Sequence, residues 1–181
     1  SVPADKKIVI LNKLNKNPKI SKKICGECAE NVLSSVINKS EEVKSREKKE
    51  DLLAPELLCL DTVAETKWTR ASALATKSFE NLRNEYELKD ISEDQFTKAI
   101  SDIACVAGPD TVMVLSSYLD FLNKSTETGN APAKDVVLSV INSLGELGDN
   151  RAFDFIYAAT SLDYPAEVVE AAKSAITKLK W

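Results

Sequence analysis

The chain contains no histidine. That removes the commonest general base, the commonest neutral metal ligand, and both the Ser–His and Cys–His pairings of nucleophilic catalysis. The familiar hydrolytic mechanisms are therefore not expected of this chain acting alone. Glycine (5) and proline (6) are scarce for 181 residues, whereas an all-β chain of this length would need them in many tight turns. There is no run of about 18 apolar residues, so no transmembrane helix is predicted. The opening SVPADKK has neither a charged n-region nor an apolar h-region, so no signal peptide is expected in it. It suits a mature product or a piece of a longer chain equally.

What is present favours helix. Lys, Glu, Ala and Leu are abundant, and 44% hydrophobic with 29% charged residues is the balance of a folded globular protein. The net charge of −4 conceals an asymmetry. Residues 1–23 hold seven lysines against Asp5, a local +6, which leaves −10 on the remainder. An acidic chain is a poor general nucleic-acid binder, because phosphate contacts are made by Lys and Arg. The basic stretch, residues 6–23, could contact an acidic partner or a membrane surface, or be a solvated helix face.

The C-terminal half is the most regular. In PAKDVVLSVINSLGELGDN, Val136, Val137, Val140, Ile141, Leu144 and Leu147 recur at helical spacing; Gly148 ends that helix and Asp149 caps the next. RAFDFIYAATSL follows, with Phe153, Ile156 and Tyr157 on one side. DYPAEVVEAAKSAITKLK opens with the helix-start residues Asp163 and Pro165, and its apolar face is Val168, Val169, Ala172, Ile176 and Leu179. Shifted by 32 residues, Val136, Val140 and Leu144 overlie Val168, Ala172 and Ile176. Shifted by 40, Phe96, Ile100 and Ala104 overlie the same three positions, the extra residues falling in the polar loop NKSTETGNAP. A stacked array tolerates insertion in such a loop.

These stretches resemble the HEAT repeat family. LGELGDNRA at 144–152 fits its LG-x-x-GD-x-R-A pattern, and SLDYPAEVVEAAKSAITKL at 161–179 fits its helix pattern through Asp163, Val168, Ala172, Ala175, Ile176 and Leu179. Val169 stands where the family usually has Arg. The match is best over residues 132–180, weaker over 92–124, and slight before that. The resemblance implies an all-α, right-handed α-solenoid of antiparallel helix pairs, of the HEAT/armadillo kind, with eight to ten helices. It also implies a non-catalytic scaffold that binds a protein or peptide along a concave side lined by the second helix of each pair. Those helices fall at 109–124 and 149–162, with Asp110, Ser117, Asp120, Arg151, Asp154 and Tyr157 as candidate contact residues.

The whole chain, 1–181, reads as one helical-repeat domain in three parts: irregular lysine-rich helices over 1–51, a long helical stretch over 52–90, and the repeats over 91–181. KKIVILNKL predicts a short amphipathic helix, with a strand as the alternative. In the next helix Ile24, Cys28, Val32 and Val36 form the apolar spacing, with Cys25, Ala29, Leu33 and Ile37 beside them. The charge run EEVKSREKKED predicts a solvent-facing helix, with a linker as the alternative. Pro55 is expected to start the apolar-periodic stretch that either continues to Tyr86 or breaks near TKWTR. Ser92 and Gln95 form a capping-box pattern.

The motif KKICGECAENVLSSV raises the main alternative. Cys25 and Cys28 make a C-x-x-C with a glycine inside. Redox pairs of this kind sit where a strand feeds a helix, and NPKISKK is not a buried strand. Core packing is the expected role, since free Cys behaves as a small hydrophobe. A redox-active or disulfide-forming pair is the second reading. A zinc site would need Cys59 and Cys105 as well, each a lone Cys on an apolar face, and no second C-x-x-C exists. No cofactor is expected. Asp61, Glu65, Asp102 and Asp110 read as caps or exposed residues, and Gly145 and Gly148 belong to the repeat turn. Trp68 with Arg70, and Tyr86 with Arg83, could form aromatic–cation patches, which would suit a third reading: a nucleic-acid or small-ligand enzyme on a HEAT-like scaffold. Four cysteines without a legible pairing favour a reducing, cytoplasmic interior, with export left open, and the Lys, Asn and Ile usage fits an AT-rich bacterial genome.

Overall fold

A computed structural model describes residues 4–43 and 46–181. Among them are nine α-helices and no strand. The helices are α1 (Ala4–Asn15), α2 (Lys22–Glu42), α3 (Arg46–Glu65), α4 (Ser72–Glu87), α5 (Glu93–Cys105), α6 (Thr111–Glu127), α7 (Lys134–Leu147), α8 (Phe153–Ala159) and α9 (Ala166–Lys178). Single 3₁₀ turns, Thr69–Ala71 and Asn150–Ala152, lead into α4 and α8. The chain divides into two compact units, one ending at Val106 and the other starting at Ala107.

The first unit is built on the α2–α3 pair. α1 packs on both of these helices, α4 on α2, and α5 on α3 and α4. The buried stripe of α2 is Cys25, Gly26, Ala29, Leu33, Val36, Ile37 and Ser40. Ile24, expected to lead that stripe, points out to solvent instead. The face that α3 and α4 cover is centred one residue further round the helix. Leu52, Leu53, Cys59, Leu60 and Val63 answer from α3, and Phe79, Leu82, Phe96, Ile100 and Ile103 fill the space beneath α4 and α5. The Phe96 ring stacks between Phe79 (5.9 Å) and Tyr86 (4.6 Å).

Pro55 does not start a helix; it lies buried within α3. The charged stretch before it already has helical propensity, so the helix begins at Arg46. The ring costs one backbone bond, because proline has no N–H to give the carbonyl four residues earlier. Lys44 and Ser45, in the middle of that predicted charged helix, lie outside the described residues.

The long apolar stretch breaks at TKWTR. α3 ends with the Trp68 N–H bonded to the Val63 carbonyl (2.9 Å) and the Lys67 N–H to that of Ala64 (3.0 Å), with Lys67 at φ 53°. α4 ends the same way. Asp90 N–H bonds to Glu85 (2.9 Å) and Lys89 N–H to Tyr86 (3.0 Å), with Lys89 at φ 64°. Both are Schellman ends in which lysine holds the left-handed position that glycine usually takes. The Ser92 capping box opens α5 as the sequence predicts: Ser92 Oγ accepts from Gln95 N–H and Gln95 Oε1 from Ser92 N–H.

In the second unit α7 packs on α9 and α6 on α8, while α6–α7 and α8–α9 are neighbours along the chain. Of the residues related by the 32-residue shift, Val136, Val140 and Leu144 of α7 and Val168 and Ala172 of α9 are buried, whereas Ile176 is only half-buried and Ala175 takes the inner position beside it. α7 and α9 meet closely at Gly145, where a β-carbon would fall 2.8 Å from that of Ala175. Gly148 ends α7 at φ 67°. Its carbonyl accepts from Lys180 N–H (2.8 Å), tying the segment after α9 to the end of α7. Asp149 caps the following turn by accepting from Arg151 N–H (2.9 Å).

Candidate functional site

The cysteines come first, because they carry the main alternative chemistry. Cys25 and Cys59 are buried, Cys28 is half-buried and Cys105 is exposed; all four are free. Cys25 and Cys28 lie within α2, the helix having opened at Lys22 behind the Ser21 cap. No strand feeds them. Burial pushes the Cys28 thiol up, and the neighbouring Cys25 and Glu27 add to the rise. A thiol held protonated is a poor nucleophile. Cys59 is pushed further, to about 12, by burial first and the adjacent Glu56 second. Among the described residues no group of three His, Cys, Asp or Glu side chains is arranged to hold a metal ion.

The glycine of the motif has a packing explanation. A β-carbon on Gly26 would come within 2.8 Å of Trp68 Cγ, so the indole needs a bare α2 surface there. Trp68 Nε1 donates to Glu30 Oε2 (2.6 Å), one turn further along α2. Arg70 donates to the same carboxylate (2.9 Å), and its guanidinium lies 5.2 Å from the indole centre. Trp68 and Arg70, which the sequence offered as one possible aromatic–cation patch, do lie together, and Glu30 and Gly26 complete the contact. Tyr86 instead stacks on Phe96, and Arg83 pairs with Glu87 (3.1 Å).

Two buried polar clusters in the first unit were not apparent from the sequence. Glu56, fully buried in α3, accepts from the Ser78 hydroxyl (2.7 Å) and the Asn81 amide (2.7 Å) of α4. Burial pushes its carboxyl up to about 7; the two hydrogen bonds oppose the rise and the nearby Glu85 adds to it. The second cluster corrects the reading of Asp102 as a cap or surface residue. It is buried in α5 and accepts from Lys98 Nζ (2.7 Å), which also bonds Asp61 of α3. Burial lifts Asp102 to about 6, against the pull of Lys98 and with the help of Asp61 and Glu65. Helical spacing could have shown Glu56 on the inner face of α3; its partners are on another helix and were not legible.

The six candidate contact residues all lie in the second unit, on α6 and around α8. Asp110, Ser117, Arg151, Asp154 and Tyr157 are exposed, and Asp120 is half-buried beside Lys124 (2.5 Å). Asp110, Ser117 and Asp120 share the outer face of α6 with exposed Met113 and Phe121, which sequence reasoning left out. They are legible only as apolar residues off the buried stripe. Phe121 stacks on Tyr118 (6.1 Å) and Tyr157 on Phe153 (5.6 Å). Two polar ties hold this region together, one between the turns that lead into α8 and α6 and one between the helices themselves. Arg151 donates to the Pro109 carbonyl (3.3 Å) while holding Asp149 (2.7 Å). Buried Asn123 donates to the Phe155 carbonyl (3.0 Å) and accepts from the Tyr164 hydroxyl (3.1 Å).

No protein-family model, curated protein or solved structure matches the chain.

Proposed function

We propose that the protein is a non-catalytic helical-repeat scaffold, HEAT-like in its second unit, whose α6–α8 side binds a protein or peptide segment. The observation that carries this reading is the packing of α6 beside α8, backed by α7 and α9, with Met113, Phe121 and Tyr157 exposed among charges of both signs. Exposed aromatics on a pinned helical surface are the usual energetic anchors of a protein interface. The flanking Asp110, Asp120, Arg151 and Asp154 would set register and partner choice. The repeat spacing and the two-by-two helix packing support the solenoid arrangement in this unit.

The test is selection of binding peptides from a random display library with the whole chain, followed by mapping of the bound segment by amide chemical shifts. The expected shifts cluster on α6 and α8. Phe121→Glu and Tyr157→Glu should each weaken binding about tenfold or more. Shifts confined to other helices, or binding indifferent to both substitutions, would remove the proposal.

A further inference from the structure

Of the seven lysines before Ile24, Lys6, Lys13, Lys16, Lys19, Lys22 and Lys23 are exposed. Lys7 is half-buried and donates to the Ser35 hydroxyl (2.8 Å). The ion pairs described in this unit form elsewhere, as at Arg70–Glu30, Lys77–Glu41 and Lys98–Asp102. Among the described side chains, Glu27, exposed on α2, and Glu65, which lines one hollow with Lys22, border the basic end.

The same segment leaves aliphatic side chains in water: Val9 is 53% exposed, Ile10 52% and Ile24 47%. Val9 sits on the outer face of α1, three residues after Lys6 and four and seven before Lys13 and Lys16. With Lys13 and Lys16 it lines an open hollow of about 600 Å³. Ile10 lines the adjoining groove of about 260 Å³ with Leu14, Cys28 and Val32. Among the described side chains of α1, Leu11 alone is fully buried, so the side of the helix turned away from α2 and α3 keeps these aliphatic groups in water.

We propose that α1 and the start of α2 form a docking surface for an anionic lipid bilayer, with the lysines at headgroup level and Val9, Ile10 and Ile24 entering the acyl boundary. Charge complementarity with the local +6 of residues 1–23 selects a negative partner. Residue type separates the candidates. The sequence has no aromatic before Trp68 and no Arg before Arg46, so it offers neither base-stacking platforms nor bidentate phosphate forks for a nucleic acid. Lysines act as point charges that suit a diffuse anionic surface, and their long stems can lie along apolar groups while the ammonium stays in water. Exposed aliphatics on a helix face flanked by lysine are the pattern of a helix lying in a membrane interface. No described helix is long and apolar enough to cross a membrane, so the contact is peripheral.

The experiment is co-sedimentation of the full chain with phosphatidylcholine vesicles and with vesicles in which about a third of that lipid is replaced by phosphatidylglycerol. The protein should pellet with the anionic vesicles and stay in solution with the neutral ones. Lys13→Gln with Lys16→Gln should lower the partition coefficient roughly 25-fold, about fivefold per lysine, while Lys173→Gln on α9 leaves it unchanged. Val9→Ser should weaken the binding that survives at high salt, where charge is screened. Equal partition into both vesicles, or anionic binding untouched by the lysine pair, would overturn the proposal. So would a lysine-dependent complex with poly-glutamate or single-stranded DNA in the absence of any vesicle binding. Circular dichroism of each variant verifies that the helices are intact.

Discussion

Trp68 occupies the space that a side chain at position 26 would need: a β-carbon on Gly26 would lie 2.8 Å from Trp68 Cγ and 2.9 Å from its Cβ. The glycine of CGEC is therefore fixed by helix α2 meeting an indole. Gly26→Ala should gain up to about 1 kcal/mol of helix propensity and lose about 1–3 kcal/mol to overpacking, for a net loss on the order of 1–2 kcal/mol. Urea denaturation measures it. In a Trp68→Leu background most of the overpacking loss should vanish, and the double-mutant cycle should show the two positions coupled.

The Glu56 carboxyl is expected to make the first unit more stable in mild acid. Its folded pKa of about 7 lies above the ordinary 4.5, so folding binds a proton between those values. Below 4.5 the group has no effect; as pH rises towards 7 it increasingly opposes folding, and above 7 the penalty is constant. The full penalty is on the order of 3 kcal/mol. Asp102 acts in the same direction between 3.8 and about 6. Glu56→Gln, which resembles the neutral carboxyl, should flatten the stability profile between these limits and match or exceed the parent protein in mild alkali. A variant whose stability still falls as steeply with rising pH would remove this account.

Lys89 holds a left-handed conformation, φ 64°, at the end of α4. A side chain there costs about 1 kcal/mol that glycine does not incur, partly offset by the extra freedom of glycine in the unfolded chain. Lys89→Gly should therefore raise stability by a few tenths to about 1 kcal/mol, where a glycine in a helix interior would lower it. Thermal unfolding of this variant beside Lys77→Gly, which lies within α4, should give shifts of opposite sign.

The thiols should react in order of exposure and charge state. At about pH 8 a soluble alkylating reagent should modify Cys105 first and Cys28 slowly. Cys25 and Cys59, both buried, should react only as the unit opens. Peptide mass mapping over time gives the order. Rapid joint modification of Cys25 and Cys28 would restore the thiol reading of the motif.

The helical character, the Ser92 capping box, the Gly148 stop and the Asp149 cap were legible because each is a local signal carried by the residue that does the work. The ends of α3 and α4 were less so. Their left-handed positions hold Lys67 and Lys89, and scarce glycine does not mean scarce turns. Pro55 misled because proline favours a first turn, whereas here the charged residues before it continue the helix. The α6–α8 candidates came from the resemblance to the HEAT repeat family, which places contacts on the second helix of each pair. Glu56, Ser78 and Asn81, or Lys98 with Asp61, are separated by 22 to 37 residues and meet only when α3, α4 and α5 pack together. Spacing along one helix carries no information about such partners.

The absence of aromatic residues before Trp68 has a practical side. The chain has two tryptophans, one in each compact unit. Trp68 is half-buried with its indole N–H on Glu30, whereas Trp181 is 83% exposed and touches Phe153 edge-on (5.2 Å). Unfolding should therefore shift the emission of Trp68 and barely alter that of Trp181. Fluorescence then reports on the first unit alone, while far-ultraviolet circular dichroism sums the helices of both. Superposed transitions from the two signals would describe one cooperative molecule; separated transitions would give each unit its own stability without cutting the chain.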